Sequence, residues 1–173
     1  AQAEMSVFVE VGPWVPDPQN PDDPAYGKAA DSFIFDCGAG SITNYGSTGI
    51  AYRRMDKVFL NHLHGDHMSD LTHIYCFGPA GDRKSPLYVW GPGPSRVKSP
   101  TPPRRLYDEG TKAFCRNLRE ATRWHTESFS FQGTRYASYP IPTRAGWGLP
   151  CDPIPVGDDA PSDAYALVPI ELD

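Results

Sequence analysis

The sequence lacks three features that would assign it to common protein classes. No apolar stretch approaches the ~20 residues of a membrane-spanning helix, so a membrane protein is not expected. None of the four cysteines forms a C-x-x-C pair, which argues against a zinc knuckle and a thioredoxin-like centre. No long run of Lys or Arg is present and the formal net charge is -5, so nucleic acid is not the favoured partner. The nearest basic cluster, Pro102-Pro103-Arg104-Arg105, is interpreted as a solvated loop.

The cysteines and the first residues bear on the cellular compartment. The cysteines lie far apart among apolar neighbours, which favours buried thiols, although an even number also permits two disulfides in an oxidising compartment. They are Cys37, Cys76, Cys115 and Cys151. The small residues Ala1-Gln2-Ala3 are typical of the end of a signal peptide, although a cloning remnant would look the same. A periplasmic or secreted location is therefore favoured over the cytoplasm.

Short strand patterns alternate with helix patterns along the chain. The predicted strands are Met5–Val11, Ser32–Phe35, Lys57–Leu60, Leu87–Trp90 and Ala164–Ile170. The predicted helices are Ser41–Arg54 with a break near its glycines, Met68–Phe77, and the longest one at Leu106–Trp124. Ser41 is the expected N-cap of the first helix. With 39% hydrophobic and 21% charged residues, this alternation predicts a globular domain of layered α/β architecture.

The segment H-L-H-G-D-H, called the metal loop below, follows an apolar strand and precedes a helix. In an extended chain His62 and His64 point to the same side, so both imidazoles can reach one cation. Gly65 is expected to let the backbone turn sharply, which brings Asp66 and His67 towards a second cation. A chance cluster is disfavoured, because polar groups gathered without a partner ion would cost desolvation free energy.

Imidazole and carboxylate ligands without a thiolate suit zinc best and also permit manganese or iron. Two zinc ions are expected in the complete enzyme. Such a pair would lower the pKa of a bridging water, supply hydroxide as the nucleophile and polarise the substrate. Asp66 would orient that hydroxide as the catalytic residue. The metal loop therefore predicts hydrolytic chemistry.

The metal loop resembles the H-x-H-x-D-H motif of the metallo-β-lactamase superfamily, and the D-C-G segment at Asp36 resembles the one that precedes it there. The resemblance covers about the first hundred residues and is closer to the arylsulfatase-like and tRNA-trimming endonuclease branches than to the β-lactam-cleaving ones. It implies an αββα sandwich with His62 and His64 at the first metal and Asp66 and His67 at the second. It also implies that Asp36 buttresses the metal loop.

The chain departs from the family pattern after the metal loop. Members carry a further His, a bridging Asp and a last His downstream, whereas this chain has only His73 and His125. Both lie in helical patterns, so His73 is interpreted as a helix residue near the site and His125 as a surface or packing residue. A single partial domain is expected, roughly the N-terminal αβ half of the sandwich. Residues 1–98 would supply the core strands and metal loop, and residues 99–173 a helical, Pro-rich tail.

The leading hypothesis is a metallo-hydrolase of a small-molecule ester, whether a sulfate, phosphate or carboxylic ester. It would use hydroxide bound between two metals and would be incomplete without the C-terminal half of the same fold, as a separate chain or segment. The loops Trp14–Tyr26 and Trp124–Trp147 are candidates for lining its substrate pocket. The alternative is a non-catalytic metal-binding or structural half-module that needs a partner chain.

Overall fold

A five-stranded sheet runs through the part of the chain that the computed structural model describes, residues 4–16, 18, 21, 29, 31–106, 109–126 and 162–172. For residues 162 and 163 only the backbone is described. The order of the strands in the sheet is their order in the chain. They are β1 (Val7–Val11), β2 (Asp31–Phe35), β3 (Lys57–Phe59), β4 (Leu87–Pro92) and β5 (Leu167–Leu172).

The helices whose bounds lie within the described residues are α1 (Ser41–Ser47), α2 (Gly65–Met68), α3 (Leu71–Phe77) and α4 (Thr111–Ala121). The described residues also include two 3-10 turns, Tyr52–Arg54 and Ser162–Tyr165. The predicted break in the first helix is confirmed, since α1 ends at Ser47 and Gly49 has a φ of 76°. The predicted N-cap is wrong: Gly40 is the N-cap, and the Ser41 hydroxyl donates to the Gly38 carbonyl at 2.6 Å.

The sheet brings three chain segments to one edge. Strands β1 and β2 are antiparallel, whereas β2 to β5 are parallel, so the carboxyl ends of the last four strands meet at the same edge. Asp36 follows β2 there, and His62 lies three residues beyond β3. The segment after β4 begins beside them, because Phe59 pairs with Trp90 and the Leu60 amide donates to the Trp90 carbonyl at 2.7 Å.

One face of the sheet packs against helices and forms the hydrophobic core. Side chains alternate between faces along a strand, and Ile34, Val58 and Val89 on this face are fully buried. The helices α1, α3 and α4 contribute Ile42, Tyr45, Leu71, Ile74, Tyr75, Cys76, Cys115 and Leu118. A sheet with helices packed on it confirms the predicted α/β class.

The opposite face carries a row of aromatic rings. Phe59 stacks on Phe35 with ring centroids 5.2 Å apart and on Trp90 at 4.6 Å, and Tyr88 lies beside Trp90. Phe35 is exposed and the other three rings are half-buried. An apolar sheet face of this kind normally packs against another layer. The helices and sheet therefore correspond to one αβ half of the expected αββα sandwich.

The last strand comes from the segment predicted as a tail. Strand β5 pairs with β4 over the six residues of each, and Arg83 ties its approach to α3. The fully buried Arg83 guanidinium donates to the Ile74 carbonyl at 2.9 Å and to the Ala164 carbonyl at 3.0 Å. Burial lowers the pKa of Arg83 to about 10, so it stays charged at neutral pH. The division of the chain at residue 98 stays a prediction.

The described residues include three of the four cysteines and can be searched for membrane-spanning helices. Cys37, Cys76 and Cys115 are buried free thiols, and Cys151 lies outside the described residues. Over the described ranges, no helix combines the length and the apolar character that crossing a membrane requires.

We expect Arg83→Lys to lower the free energy of unfolding by about 1.5–3 kcal/mol. Hydrogen bonds to a charged group contribute roughly that much, and one ammonium cannot reproduce the planar fork that spans two carbonyls. Urea unfolding followed by circular dichroism measures the change. The reciprocal exchange Lys84→Arg, at the exposed next residue, should stay within about 0.5 kcal/mol. Equal effects of the two exchanges would show that the buried contacts of Arg83 contribute nothing.

Candidate metal centre

Asp36 lies directly after β2 with its carboxylate turned into the metal loop. Its Oδ1 accepts a hydrogen bond from the Asn61 amide at 2.8 Å, and its Oδ2 lies 2.8 Å from Nδ1 of His67. Its backbone amide donates to the Phe59 carbonyl at 2.8 Å. Its φ of 58° turns the chain out of the strand, a conformation that Asp tolerates better than most residues. One nearly buried carboxylate thus contacts both ends of the metal loop.

His62 and His64 present ring nitrogens to the same point. Nε2 of His62 lies 3.0 Å from Nδ1 of His64, and the ring planes meet at 80°. The backbone at His64 is extended, with φ -78° and ψ 152°, which gives the two-residue alternation that the sequence predicts. Two nitrogens bound to one tetrahedral zinc at ~2.05 Å would lie about 3.3 Å apart. The spacing therefore fits two ligands of one cation.

Asp66 and His67 form a second pair on the first turn of α2. Nε2 of His67 lies 3.5 Å from Oδ2 of Asp66, and the His67 ring lies 4.0 Å from the His62 ring. Nδ1 of His67 faces the Asp36 carboxylate and Nε2 of the same ring faces the Asp66 carboxylate, so Nε2 is the nitrogen placed to bind a cation beside Asp66. The candidate ligand atoms of His62, Asp66 and His67 all lie within 4.8 Å of one another.

Gly38 lets the backbone approach the metal loop closely. A Cβ at this position would lie 2.1 Å from the Asp66 carbonyl oxygen, closer than any real contact. The Cys37 amide donates to the His67 carbonyl at 2.7 Å, and the Met5 amide donates to the Asp66 carbonyl at 3.2 Å. The metal loop is therefore held by backbone contacts from the segment after β2 and from the approach to β1.

The role expected of Gly65 is not needed. Gly65 is not among the residues with positive φ, and a Cβ there would meet nothing within 4 Å. The change of direction occurs because extended His64 is followed at once by the helix α2. The single helix predicted over Met68–Phe77 is two helices, α2 from Gly65 and α3 from Leu71.

Sequence reasoning did not single out two acidic residues that brace the site. The Asp70 amide donates to the Cys37 carbonyl at 2.8 Å, and its carboxylate accepts from the Ile42 amide at the start of α1 at 2.9 Å. Glu4 accepts hydrogen bonds from the Ala39 amide and, at 3.3 Å, from the Ser69 hydroxyl. Their partners lie 28 or more residues away in the chain for Asp70 and 35 or more for Glu4, so no local pattern reveals them.

The remaining histidines of the described chain lie outside the cluster. His73 is exposed on α3, with its ring 4.8 Å from Phe77 and 6.2 Å from Tyr52. His125 is half-buried and bonds the Cys76 carbonyl through Nε2 at 2.9 Å. The group of described residues whose ligand atoms lie close enough together to hold a metal consists of His62, Asp66 and His67, so it includes neither of these histidines nor His64. The interpretation of His73 and His125 as non-ligands stays a prediction.

Cys37 contacts the metal loop through its backbone amide, yet its thiol is not a candidate ligand. Burial raises the pKa of the Cys37 thiol, and the nearby carboxylates of Asp70 and Asp36 raise it further. A protonated, fully buried thiol is a packing residue at neutral pH.

Of the loops expected to line a substrate pocket, most of Trp14–Tyr26 and nearly all of Trp124–Trp147 lie outside the described residues.

Comparison with known proteins finds relatives over part of the chain. Ribonuclease Z of Treponema denticola is 32% identical over 65 residues, which are 38% of this chain and 21% of that protein. Ribonuclease BN of Citrobacter koseri is 33% identical over 63 residues, 36% of this chain and 21% of that protein. Ribonuclease BN of an Enterobacter species is 35% identical over 63 residues, with the same coverage. No protein-family profile matches the chain.

Similar solved structures also cover part of the chain. The short form of human tRNase Z superposes with a TM-score of 0.40 at 22% identity, over 68% of this chain and 39% of that one. A metallo-β-lactamase fold protein of Bacillus subtilis superposes with a TM-score of 0.32 at 25% identity, over 38% and 27%.

The similarity to these ribonucleases, over a little more than a third of the chain, supports the resemblance to the metallo-β-lactamase superfamily. The relatives named above are hydrolytic enzymes. The chain spans about a fifth of the length of the curated relatives that it matches.

The relatives overturn one expectation. A small-molecule ester was expected as the substrate and nucleic acid was disfavoured, but the named relatives are ribonucleases, whose substrate is RNA. That expectation is wrong. It relied on net charge and on the absence of a long basic run, and neither quantity reports how cations are distributed over a folded surface.

We expect Asp36→Asn, in the full-length gene product, to weaken metal binding about 10- to 100-fold, the usual cost of losing a carboxylate behind a ligating His. An amide can still accept from the Asn61 N–H, but its NH2 group meets the Nδ1 proton of His67. Competitive zinc titration measures the change. Asp31→Asn is the matched control, because Asp31 pairs with Lys57 at the other end of β2. A similar loss of affinity in both variants would argue against a specific role for Asp36.

We expect Gly38→Ala to lower the free energy of unfolding by about 1–3 kcal/mol, because the added methyl group forces the backbone away from Asp66. Gly46→Ala is the control, since α1 leaves open space there and the exchange should raise stability by roughly 0.5–1 kcal/mol. Denaturant unfolding of both variants gives the comparison. A Gly38→Ala protein as stable as the parent would show that the close approach to the metal loop is not required.

Proposed function

We propose that this chain supplies the metal loop of a metal-dependent phosphodiester hydrolase that acts on RNA. One observation carries the proposal: the metal loop brings its candidate ligands together in two pairs. Nε2 of His62 lies 3.0 Å from Nδ1 of His64, and Nε2 of His67 lies 3.5 Å from Oδ2 of Asp66, while the Asp36 carboxylate bonds to His67. The ribonuclease relatives support RNA as the substrate class.

The donor set fits zinc. It consists of three imidazoles and one carboxylate, with no thiolate, and the described spacings are close to those of neighbouring ligands on one ion. We propose that His62 and His64 hold one zinc ion and that Asp66 and His67 serve a second. When bound, the ions would acidify a water molecule and stabilise negative charge on the scissile phosphate.

The residues of the chain have distinct parts in this reaction. Asp36 keeps the Nδ1 proton of His67 engaged, so that Nε2 stays available as a ligand. The Asp66 side chain is 58% exposed, so it is open to both a ligand and a water molecule. We propose that its carboxylate accepts a hydrogen bond from the attacking water and orients it towards phosphorus. The water oxygen then adds to phosphorus, the bond from phosphorus to the ribose oxygen of the leaving group breaks, and the proton lost by the water ends on that ribose oxygen.

The site needs further ligands. Catalytic zinc sites usually have three protein ligands for each ion, and the metal loop offers four side chains for two ions. His73 and His125 lie elsewhere in the described structure. We therefore expect the remaining ligands to come from outside the described residues, and the partly exposed aromatic face of the sheet would suit a second layer.

We expect His62→Ala in the full-length gene product to remove about one zinc equivalent per chain and to reduce RNA cleavage by more than ~100-fold. Loss of a ligand should cost more than the roughly 10- to 100-fold expected for loss of a residue that only supports a ligand. Zinc content is measured by plasma mass spectrometry and cleavage with a labelled RNA precursor. His73→Ala is the matched control. Unchanged zinc content with retained turnover would refute the ligand assignment.

The alternative is a metal-binding half-module without catalytic activity. It is favoured by the small number of candidate ligands, since the metal loop offers four side chains for two ions. A full-length product that binds zinc through His62 and yet cleaves neither RNA nor a small phosphodiester would establish this alternative.

A further inference from the structure

A strongly basic loop, residues 95–106, projects after β4. It contains four cations and no acidic residue, although the whole chain has sixteen basic and twenty-one acidic residues. The four are Arg96, Lys98, Arg104 and Arg105. All four side chains are exposed, and none has an ion-pair partner among the residues that the structure describes. We call this segment the basic loop.

Backbone contacts within the basic loop fold it into a short hairpin. Its two arms are joined by a bridge between Lys98 and Leu106, and the Ser99 amide donates to the Arg105 carbonyl at 2.8 Å. The bridge brings cations that are six or more residues apart in sequence onto one short hairpin.

The base of the loop is pinned. The Ser95 amide and hydroxyl both donate to the Glu109 carboxylate. Gly110, with a φ of 104°, packs so closely on Gly93 and Pro94 that a Cβ there would lie 2.8 Å from the Pro94 nitrogen. The side chains of the loop therefore project from a fixed base.

The basic loop starts at the same edge of the sheet as the metal loop. Strands β3 and β4 are parallel and in register, and their last shared pair is Phe59 with Trp90. His62 lies three residues after Phe59, and Gly93 lies three residues after Trp90. Neighbouring strands are ~4.8 Å apart, so the two loops leave the sheet side by side.

We propose that the basic loop binds the phosphodiester backbone of the RNA and guides it to the metal centre; this rests on the function proposed above. Exposed Arg and Lys side chains on a pinned loop suit contacts to successive phosphates, which carry no sequence information. An anionic membrane would present the same charge. The loop has no Trp, Tyr or Phe, however, and aromatic anchors are typical of interfacial segments.

The test compares RNA binding by the full-length product and by a variant with Arg96, Lys98, Arg104 and Arg105 all replaced by Gln. Anisotropy of a labelled single-stranded RNA is followed from 50 to 200 mM salt, with chelator present to prevent cleavage. Each phosphate contact on a single strand adds a slope of ~0.7, so four contacts should make the parent lose about 50-fold more affinity over this range than the variant does.

Two controls separate charge from other effects. A variant with Arg96, Arg104 and Arg105 replaced by Lys keeps the charge and should retain the salt dependence of the parent. Lys84→Gln removes an exposed cation before β4, at the opposite end of the strand, and should bind RNA like the parent. Lys98→Gln, within the basic loop, should lower the slope of log affinity against log salt concentration by ~0.7.

Hydrolysis of bis(p-nitrophenyl) phosphate by the zinc-loaded product separates the two proposals, because this small diester has no chain of successive phosphates for the loop to bind. Loop-dependent RNA binding supports the basic loop even if the small diester is not cleaved. Cleavage of the small diester with RNA binding that is unchanged in the Gln variant overturns the basic loop alone. Binding of the parent to phosphatidylserine vesicles without binding to RNA also overturns it.

Discussion

The hydrogen bonds of the Asp36 carboxylate are the constraint on which the rest of the site depends. One oxygen accepts from the Asn61 amide at the start of the metal loop, and the other engages Nδ1 of His67 at its end. A loop fixed at both ends keeps its side chains in place before any ion binds, which lowers the entropic cost of binding. The positive φ of Asp36 is the backbone cost of placing its carboxylate there.

The sheet makes that constraint effective. Because β2 and β3 are parallel neighbours, the residue after one strand meets the loop after the other, and the pairing of Ile34 with Val58 sets the register between them. The same rule brings the segment after β4 to this edge. Binding sites of open α/β sheets commonly lie at the carboxyl ends of the strands for this reason. The candidate catalytic residues and the basic loop thus share one edge of the fold.

Local patterns in the sequence were sufficient to predict the strands and the cluster of His62, His64, Asp66 and His67, because alternation in an extended chain and a following helix are local geometry. They did not reveal Gly38, Asp70 or Arg83, whose partners are distant in the chain or lie across a packed interface. The basic loop was recognised only in part. The sequence singled out the adjacent Arg104 and Arg105 as a solvated loop, and Arg96 and Lys98 join them only when Lys98 pairs with Leu106. Counting runs of charge therefore gave the wrong answer about nucleic acid.

The most direct test of the account is anomalous diffraction at the zinc edge from crystals of the full-length product grown with zinc. The account predicts a peak about 2.0–2.1 Å from both Nε2 of His62 and Nδ1 of His64, with the bond between Asp36 and His67 intact. A second peak beside Asp66 and Nε2 of His67 is also predicted. Zinc bound elsewhere, with these side chains pointing away from one another, would contradict it.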